Sequence, residues 1–256
     1  MDGTLLNDES ELTARTKAAI LGAVDAGVIF VTATGRPLLG AEMINGLIDR
    51  DMPVIIFNGA AVFMWKSQTN IFNKYLDAAL AEEVYDVGVT RDIPVILWTG
   101  KGLWASRECE ATIKYREIYN VDIGIIKSVS ELKEEGIYKL LWIDTPANII
   151  RLQTEMTGHF RGRLNCHSSR PIMLEFVGLD AEKGAAMAEL GRIYGVDRSE
   201  MIALGDGYND ISMLRYAGLG IAMENSPDDV KAACAHVAPS NNDDGAAIAI
   251  EKYLLS

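Results

Sequence analysis

The densest chemistry in the chain is the stretch "ALGDGYND", where an apolar run stops at Gly205-Asp206, a turn follows, and Asn209-Asp210 open the next segment. Asp206 and Asp210 would set two carboxylates at the end of a strand. In open α/β sheets ligands bind beyond the carboxyl ends of strands. Such a pair suits a hard, oxygen-seeking divalent cation such as Mg2+, and equally a turn followed by an Asn or Asp helix cap. In "VTATGRP" the Thr34 hydroxyl and free backbone N–H groups lie at a strand-to-helix junction, which is a ready anion site. On its own that junction reads first as a cap, with Arg36 a surface or supporting residue. In "LDAEKGAAM", Asp180 is the expected N-cap and Lys183 falls in the first helical turn. A cation there opposes the helix dipole at a cost of about 0.3–1 kcal/mol. The position therefore calls for an anionic neighbour: Lys183 is either a solvated lysine or a fixed charge for a phosphoryl group. Finally, "MDGT" at the start offers Asp2, either as part of a turn or as a general acid and base.

The elements that would carry these residues follow from hydrophobic periodicity. "TARTKAAILGAVDAG" has helical spacing and closes at Gly27. "VIFVTAT" and "PVIIFNGA" read as buried strands, with a helix expected over "GRPLLGAEMINGLI" between them. After the middle of the chain the alternation returns, with helix "AEKGAAMAELGRIYG", strand "MIALGD", helix "NDISMLRYAG" and strand "LGIAM". Helices "PDDVKAACA" and "GAAIAIEKYL" close it. This rhythm predicts an α/β fold with a doubly wound, mostly parallel sheet covered on both faces. The middle third differs. Helices are expected over 79–91 and 108–120 and after Pro146, with a short one at "SELKEE". Strands are expected at "PVILWTG", "LWAS", "DIGII", "IYKLLWID", "RLNCHSS" and "PIMLEFVG". Strands that neighbour each other in this way predict an antiparallel sheet and a separate α+β layer. The chain would leave one domain (1–76), build another (77–178) and return (179–256). Trp98, Trp104 and Trp142 lie in the insertion and read first as core.

Composition narrows the partners. The 256 residues carry a formal net charge of −12, which speaks against nucleic acid or an anionic membrane as partner. A small phosphorylated metabolite stays compatible, because a local field can oppose the net charge. Three scattered cysteines, Cys109, Cys166 and Cys234, form neither a metal spacing nor a disulfide framework, so a cytoplasmic location is expected. No apolar run approaches the length of about 18 residues that a membrane span needs, and no basic-then-apolar leader is present.

Taken in order, Asp-Gly-Thr, Thr-Gly-Arg, Phe-Asn-Gly-Ala, Lys-Gly and Gly-Asp-Gly-Tyr-Asn-Asp resemble the haloacid dehalogenase superfamily, and within it the Cof-type sugar-phosphate phosphatases. The resemblance covers nearly the whole chain, and the insertion resembles that group's α+β cap domain on a Rossmann-like core. It implies a Mg2+-dependent phosphatase of small phosphorylated metabolites, with sugar phosphates foremost, working through an aspartyl-phosphate intermediate. Asp2 would be the acid and base, and its backbone carbonyl a metal ligand. Thr34 would hold the phosphoryl group, Lys183 would neutralise it, Asp206 would ligate Mg2+ and Asp210 would support that metal site. Gly35, Asn58 and Asn209 would orient neighbours or touch substrate. The cap would close by hinging near residues 74–80 and 176–181.

One departure from the family pattern stands out. The family's first motif is Asp-x-Asp-Gly-Thr, and Met1 takes the x position. The family's nucleophile and the central strand that carries it would lie ahead of Met1. A chain starting there is expected to leave the flanking strands without a partner and to show negligible turnover. Two alternatives stay open: a phosphomutase of the same superfamily, and a non-catalytic protein that binds phosphometabolites.

Overall fold

The structure is a computed structural model and describes residues 1–38, 41, 46, 48–132 and 134–255. Half of the helix expected over "GRPLLGAEMINGLI" lies outside the described residues. The chain divides into two compact units, Met1–Asn73 with Ala181–Ser256, and Lys74–Asp180.

The discontinuous unit begins with helix α1 (Ala14–Asp25), capped by the Thr13 side chain on the Thr16 amide. Its buried residues Thr16, Ala19, Ile20 and Ala23 recur at helical spacing, so one stripe faces the core. Full burial of a residue such as Ile20 is worth about 1.5–3 kcal/mol. Strands β1 (Thr32–Ala33) and β2 (Pro53–Ile56) pair in parallel. β3 (Ala61–Met64) and β4 (Asn70–Asn73) then add to β2 as antiparallel neighbours. In the second half, β11 (Ile202–Gly205), β12 (Leu219–Met223) and β13 (His236–Ala238) form a parallel sheet. β1 and β11 are each an end strand, and no ladder joins their two sheets among the described residues. Ala33 of β1 nevertheless packs on the cluster that holds Met201, Ala203 and Leu214.

Two expectations change here. "VIFVTAT" yields only a two-residue strand, which has a ladder on one side only. The β3–β4 hairpin makes this half of the sheet antiparallel beyond β2.

The inserted unit is a six-stranded sheet of order β7-β6-β5-β8-β10-β9. Its strands are β5 (Val95–Thr99), β6 (Leu103–Ala105), β7 (Ile123–Ile125), β8 (Ile137–Ile143), β9 (Leu164–Arg170) and β10 (Met173–Gly178). All its ladders are antiparallel except β6 with β7. Helices α2 (Ala78–Thr90) and α4 (Pro146–His159) bury Val84, Tyr85, Ile149 and Leu152 against Leu97, Leu140, Trp142 and Phe176 on one face. Helix α3 (Glu110–Tyr119) reaches the sheet through Tyr115, whose hydroxyl accepts from Trp98 Nε1 at 3.2 Å. At "SELKEE" only a single 3-10 turn, Val129–Leu132, forms. The three cysteines are free, and no described helix is long and apolar enough to cross a membrane.

Candidate active site

Five chain segments of the discontinuous unit meet beyond the carboxyl ends of β1, β2 and β11. The last of these strands runs into Asp206, and the following turn folds back so that Asp210 Oδ2 accepts the amides of Asp206 and Gly207, both at 3.0 Å. The other oxygen, Oδ1, accepts from Lys183 Nζ at 2.6 Å, and both side chains are almost fully buried. Lys183 opens helix α5 (Lys183–Tyr194), and Asp210 immediately precedes helix α6 (Ile211–Tyr216). The anion that the helix dipole called for is therefore Asp210. Burial works to raise the Asp210 carboxyl, but the Lys183 ammonium and the hydrogen bonds it accepts outweigh this and hold it below the ordinary value. Asp180 is not the N-cap: α5 starts after Glu182, which makes no side-chain cap bond, and Asp180 pairs instead with Lys74 at 2.7 Å.

Asp206 is the less satisfied carboxylate. Burial pushes its pKa up, and the Asp210 charge adds to this; Thr4, Lys183 and the α-amino group of Met1 only partly offset them. Its Oδ1 accepts from the Thr4 hydroxyl at 2.5 Å, and no hydrogen bond reaches Oδ2 among the described residues. Gly3 lies against this carboxylate at φ +68°, and a Cβ there would come 2.3 Å from Oδ2, so the turn demands glycine twice over. The Met1 α-amino group is buried within the field of Lys183, Asp210, Asp206 and Asp2. Burial and Lys183 lower its pKa, against the three carboxylates.

Asp2 stands apart from this cluster in its partner: its carboxylate is forked onto Arg36, at 3.0 Å from Nε and 2.5 Å from an Nη. Arg36, read in the sequence as a surface or supporting residue, is thus in direct contact with the expected acid and base. Its amide donates to Thr34 Oγ1 at 3.0 Å. Thr34 is buried, and its carbonyl accepts the Asn58 amide at 3.1 Å. Gly35 lies against the Asn58 side chain, since a Cβ on it would fall 2.8 Å from Oδ1. Asn58 Oδ1 also accepts from Asn209 Nδ2 at 2.9 Å. Phe57, Asn58 and Gly59 run consecutively at positive φ (51°, 58° and 106°). A Cβ on Gly59 would stand 2.3 Å from the Glu182 carbonyl, so the end of β2 touches the start of α5. All eight residues singled out in the sequence therefore fall into two bonded groups, Asp206–Asp210–Lys183 and Asp2–Arg36–Thr34–Asn58–Asn209, with Gly35 beside Asn58 in the second. Sequence reasoning missed Thr4. Its signal was the "DGT" triplet, but the partner sits 202 residues away.

For a divalent cation the donor set fits in one way. Asp206 has an oxygen to give and a half-buried charge that a cation would relieve, whereas both Asp210 oxygens are engaged. No cluster of three or more His, Cys, Asp or Glu suited to a metal occurs among the described residues.

A family model described as haloacid dehalogenase-like hydrolase matches residues 1–250. The chain belongs to that family. The Bacillus subtilis protein YxeH is 30% identical over 261 residues, covering 100% of this chain and 97% of its own length. The 5-amino-6-(5-phospho-D-ribitylamino)uracil phosphatase YwtE of the same organism is 28% identical, over 99% of this chain and 96% of its own. Among solved structures, a Thermotoga maritima protein superposes with a TM-score of 0.86 at 29% identity, over 98% of this chain and 94% of that one. A haloacid dehalogenase-like hydrolase from Bacteroides thetaiotaomicron gives 0.84 at 26% identity, over 98% and 96%. The family fold, a Rossmann-like core carrying an α+β insertion, is the fold of this chain, and its reaction class is that of a phosphoric monoester hydrolase.

Proposed function

We propose that the protein is a Mg2+-dependent phosphatase of small phosphorylated metabolites, sugar and sugar-alcohol phosphates foremost, with the inserted unit as the cap that selects them. The observation that carries this reading is the buried Lys183–Asp210 pair with the half-buried Asp206 beside it at strand carboxyl ends. It holds a fixed cation beside a carboxylate that lacks one. The phosphate of the substrate named for the relative YwtE sits on a ribityl chain, which supports the sugar-alcohol class.

Asp206 would hold Mg2+ together with the Asp2 backbone carbonyl, and the ion would supply charge neutralisation at the phosphoryl group. Lys183 adds a second positive charge, fixed in place by Asp210. Thr34, with the Gly35 backbone, binds a phosphoryl oxygen, and the Asn58–Asn209 pair orients the rim. The family motif puts the phosphoryl acceptor, an aspartate, directly ahead of Met1. As the ester P–O bond breaks and the P–O bond to that carboxylate forms, Asp2 gives its proton to the leaving oxygen. Water then attacks phosphorus, Asp2 takes up its proton, and phosphate departs. Release of Asp2 from Arg36 is part of this scheme. Positioning and charge neutralisation do most of the catalytic work in such transfers.

A screen of sugar and sugar-alcohol phosphates with Mg2+ tests the proposal. It compares the chain beginning at Met1 with a version given the family's leading strand and Asp. Turnover that needs Mg2+ and Lys183 supports it. Tight binding of phosphate esters without turnover in either version would favour the non-catalytic reading instead.

A further inference from the structure

The loop that carries Asp2 and Thr4 has little regular structure of its own. Its one β contact is an isolated bridge, Asp2 with Leu6, and the amides of Thr4, Leu5 and Leu6 all turn back on the Met1 carbonyl, at 3.4, 3.0 and 3.1 Å. Two asparagines from distant loops grip it from outside. Asn225, two residues after β12, donates from Nδ2 to the Gly3 carbonyl at 2.8 Å. Its Oδ1 accepts the backbone amide of Asn241 at 3.1 Å. Asn241, three residues after β13 and buried, donates from Nδ2 to the Leu6 carbonyl at 3.0 Å and to Asp8 Oδ1 at 3.1 Å. Both hydrogen-bonding ends of the Asn225 amide are therefore spent in joining the β13 loop to the residue that abuts Asp206.

We propose that Asn225, backed by Asn241, is a positioning residue that clamps the Gly3–Thr4 turn so that Thr4 and Gly3 aim the Asp206 carboxylate. The relay runs from the Asn241 amide through Asn225 to the Gly3 carbonyl. From there it reaches Asp206 by way of the Thr4 hydroxyl and the bare Cα of Gly3. The Asn225 side chain itself touches no reacting group. This inference rests on the reading of Asp206 as a divalent-cation ligand. A partner that orients a ligand from behind is typically worth tenfold to a hundredfold in metal affinity. Asn225 is exposed, so its truncation opens no hole in the core and the variant is expected to fold.

The test uses Mn2+ as the probe, titrated into the wild-type chain, Asn225→Ala, Asn225→Gln and Asp206→Asn. Binding is followed by electron paramagnetic resonance, and hydrogen exchange is read at the amides of residues 4–6. In Asn225→Ala we expect Mn2+ affinity to fall about tenfold, with faster exchange at residues 4–6 and an unchanged melting temperature. Asn225→Gln, which keeps the amide on a longer arm, should recover most of both. Faster exchange with unaltered affinity would overturn the proposal, leaving Asn225 as loop packing alone, and unaltered exchange would overturn it as well. If the wild-type chain and Asp206→Asn bind Mn2+ equally poorly, the ligand reading of Asp206 itself fails and the positioning role falls with it. Wild-type binding that Asp206→Asn abolishes and Asn225→Ala leaves intact refutes the clamp alone.

Discussion

Among the described residues each unit buries one lysine–carboxylate pair, and the two pairs are unlike. Lys183–Asp210, at 2.6 Å, joins the start of a helix to a strand-end turn, and a second carboxylate with unspent capacity stands next to it. Lys139–Glu175, at 2.9 Å, spans the adjacent strands β8 and β10 in the middle of the inserted sheet. There Glu175 also faces His167 Nε2 at 3.9 Å. Removing two charges from water costs several kcal/mol per ion, and replacing a buried pair by apolar groups is often neutral or better. A buried pair is therefore poor evidence for stability in either place. What separates them is the neighbourhood: backbone amides and a part-satisfied Asp206 around one, β strands packed edge to edge around the other.

The largest expected effect falls on the first pair. Lys183→Met should lower turnover by about 10²–10³-fold in a turnover-competent version of the chain, measured as kcat on a sugar phosphate. It should also strand the buried Asp210 charge. Next in size, Lys139→Met should cost about 3–5 kcal/mol in urea unfolding for the same reason. Lys139→Met combined with Glu175→Leu should return stability to wild type or above it, with kcat retained. The equivalent double replacement of Lys183 and Asp210 should recover stability while activity stays lost. If both doubles behave alike, the contrast between the pairs collapses.

Acid sharpens the contrast. Burial would raise both Asp210 and Glu175, but their lysines hold each below its ordinary value of 3.8 or 4.5. A depressed carboxyl adds stability above its unfolded pKa and loses it as pH falls through the folded one. His167 differs: burial lowers it from 6.5 against the pull of Glu175. It binds its proton more readily unfolded, so the inserted unit should begin to lose stability just below pH 6.5. Urea midpoints for the whole chain should thus dip mildly from pH 6.5, then fall steeply below pH 4. His167→Gln should remove the mild portion only. The smallest effect belongs to an exposed pair. Arg15→Ala, which breaks the fork to Glu251, should leave the melting temperature unmoved.

How much of this was legible in the sequence differs between the units in the same way. Most inserted strands, the three-residue β6 and β7 included, fall inside apolar runs bounded by turns, and all six strands are foreseen. In the discontinuous unit, β3–β4 escaped because "AVFMWKSQTNIFN" shows no clean alternation, and β13 because His236–Ala238 is mostly exposed and lies in no apolar run. The helix cap expected at Asp180 failed because the helix begins only at Lys183, after Glu182, leaving Asp180 upstream of it and paired with Lys74. Asp206, Asp210, Lys183, Thr34 and Asn58 were singled out from their motifs; Thr4, though inside Asp-Gly-Thr, was not, and neither were Asn225 and Asn241. Their partners lie 202 to 235 residues away, and only folding makes them neighbours.

Of the four tryptophans, Trp98, Trp104 and Trp142 belong to the inserted unit, and only Trp65 to the other. The Trp142 indole is wholly buried, and its N–H finds no acceptor among the described residues. Its emission should therefore lie far to the blue and dominate the native spectrum. A fluorescence melt of this protein would report the insertion first, and the carboxylate site would stay dark unless a second probe watched it.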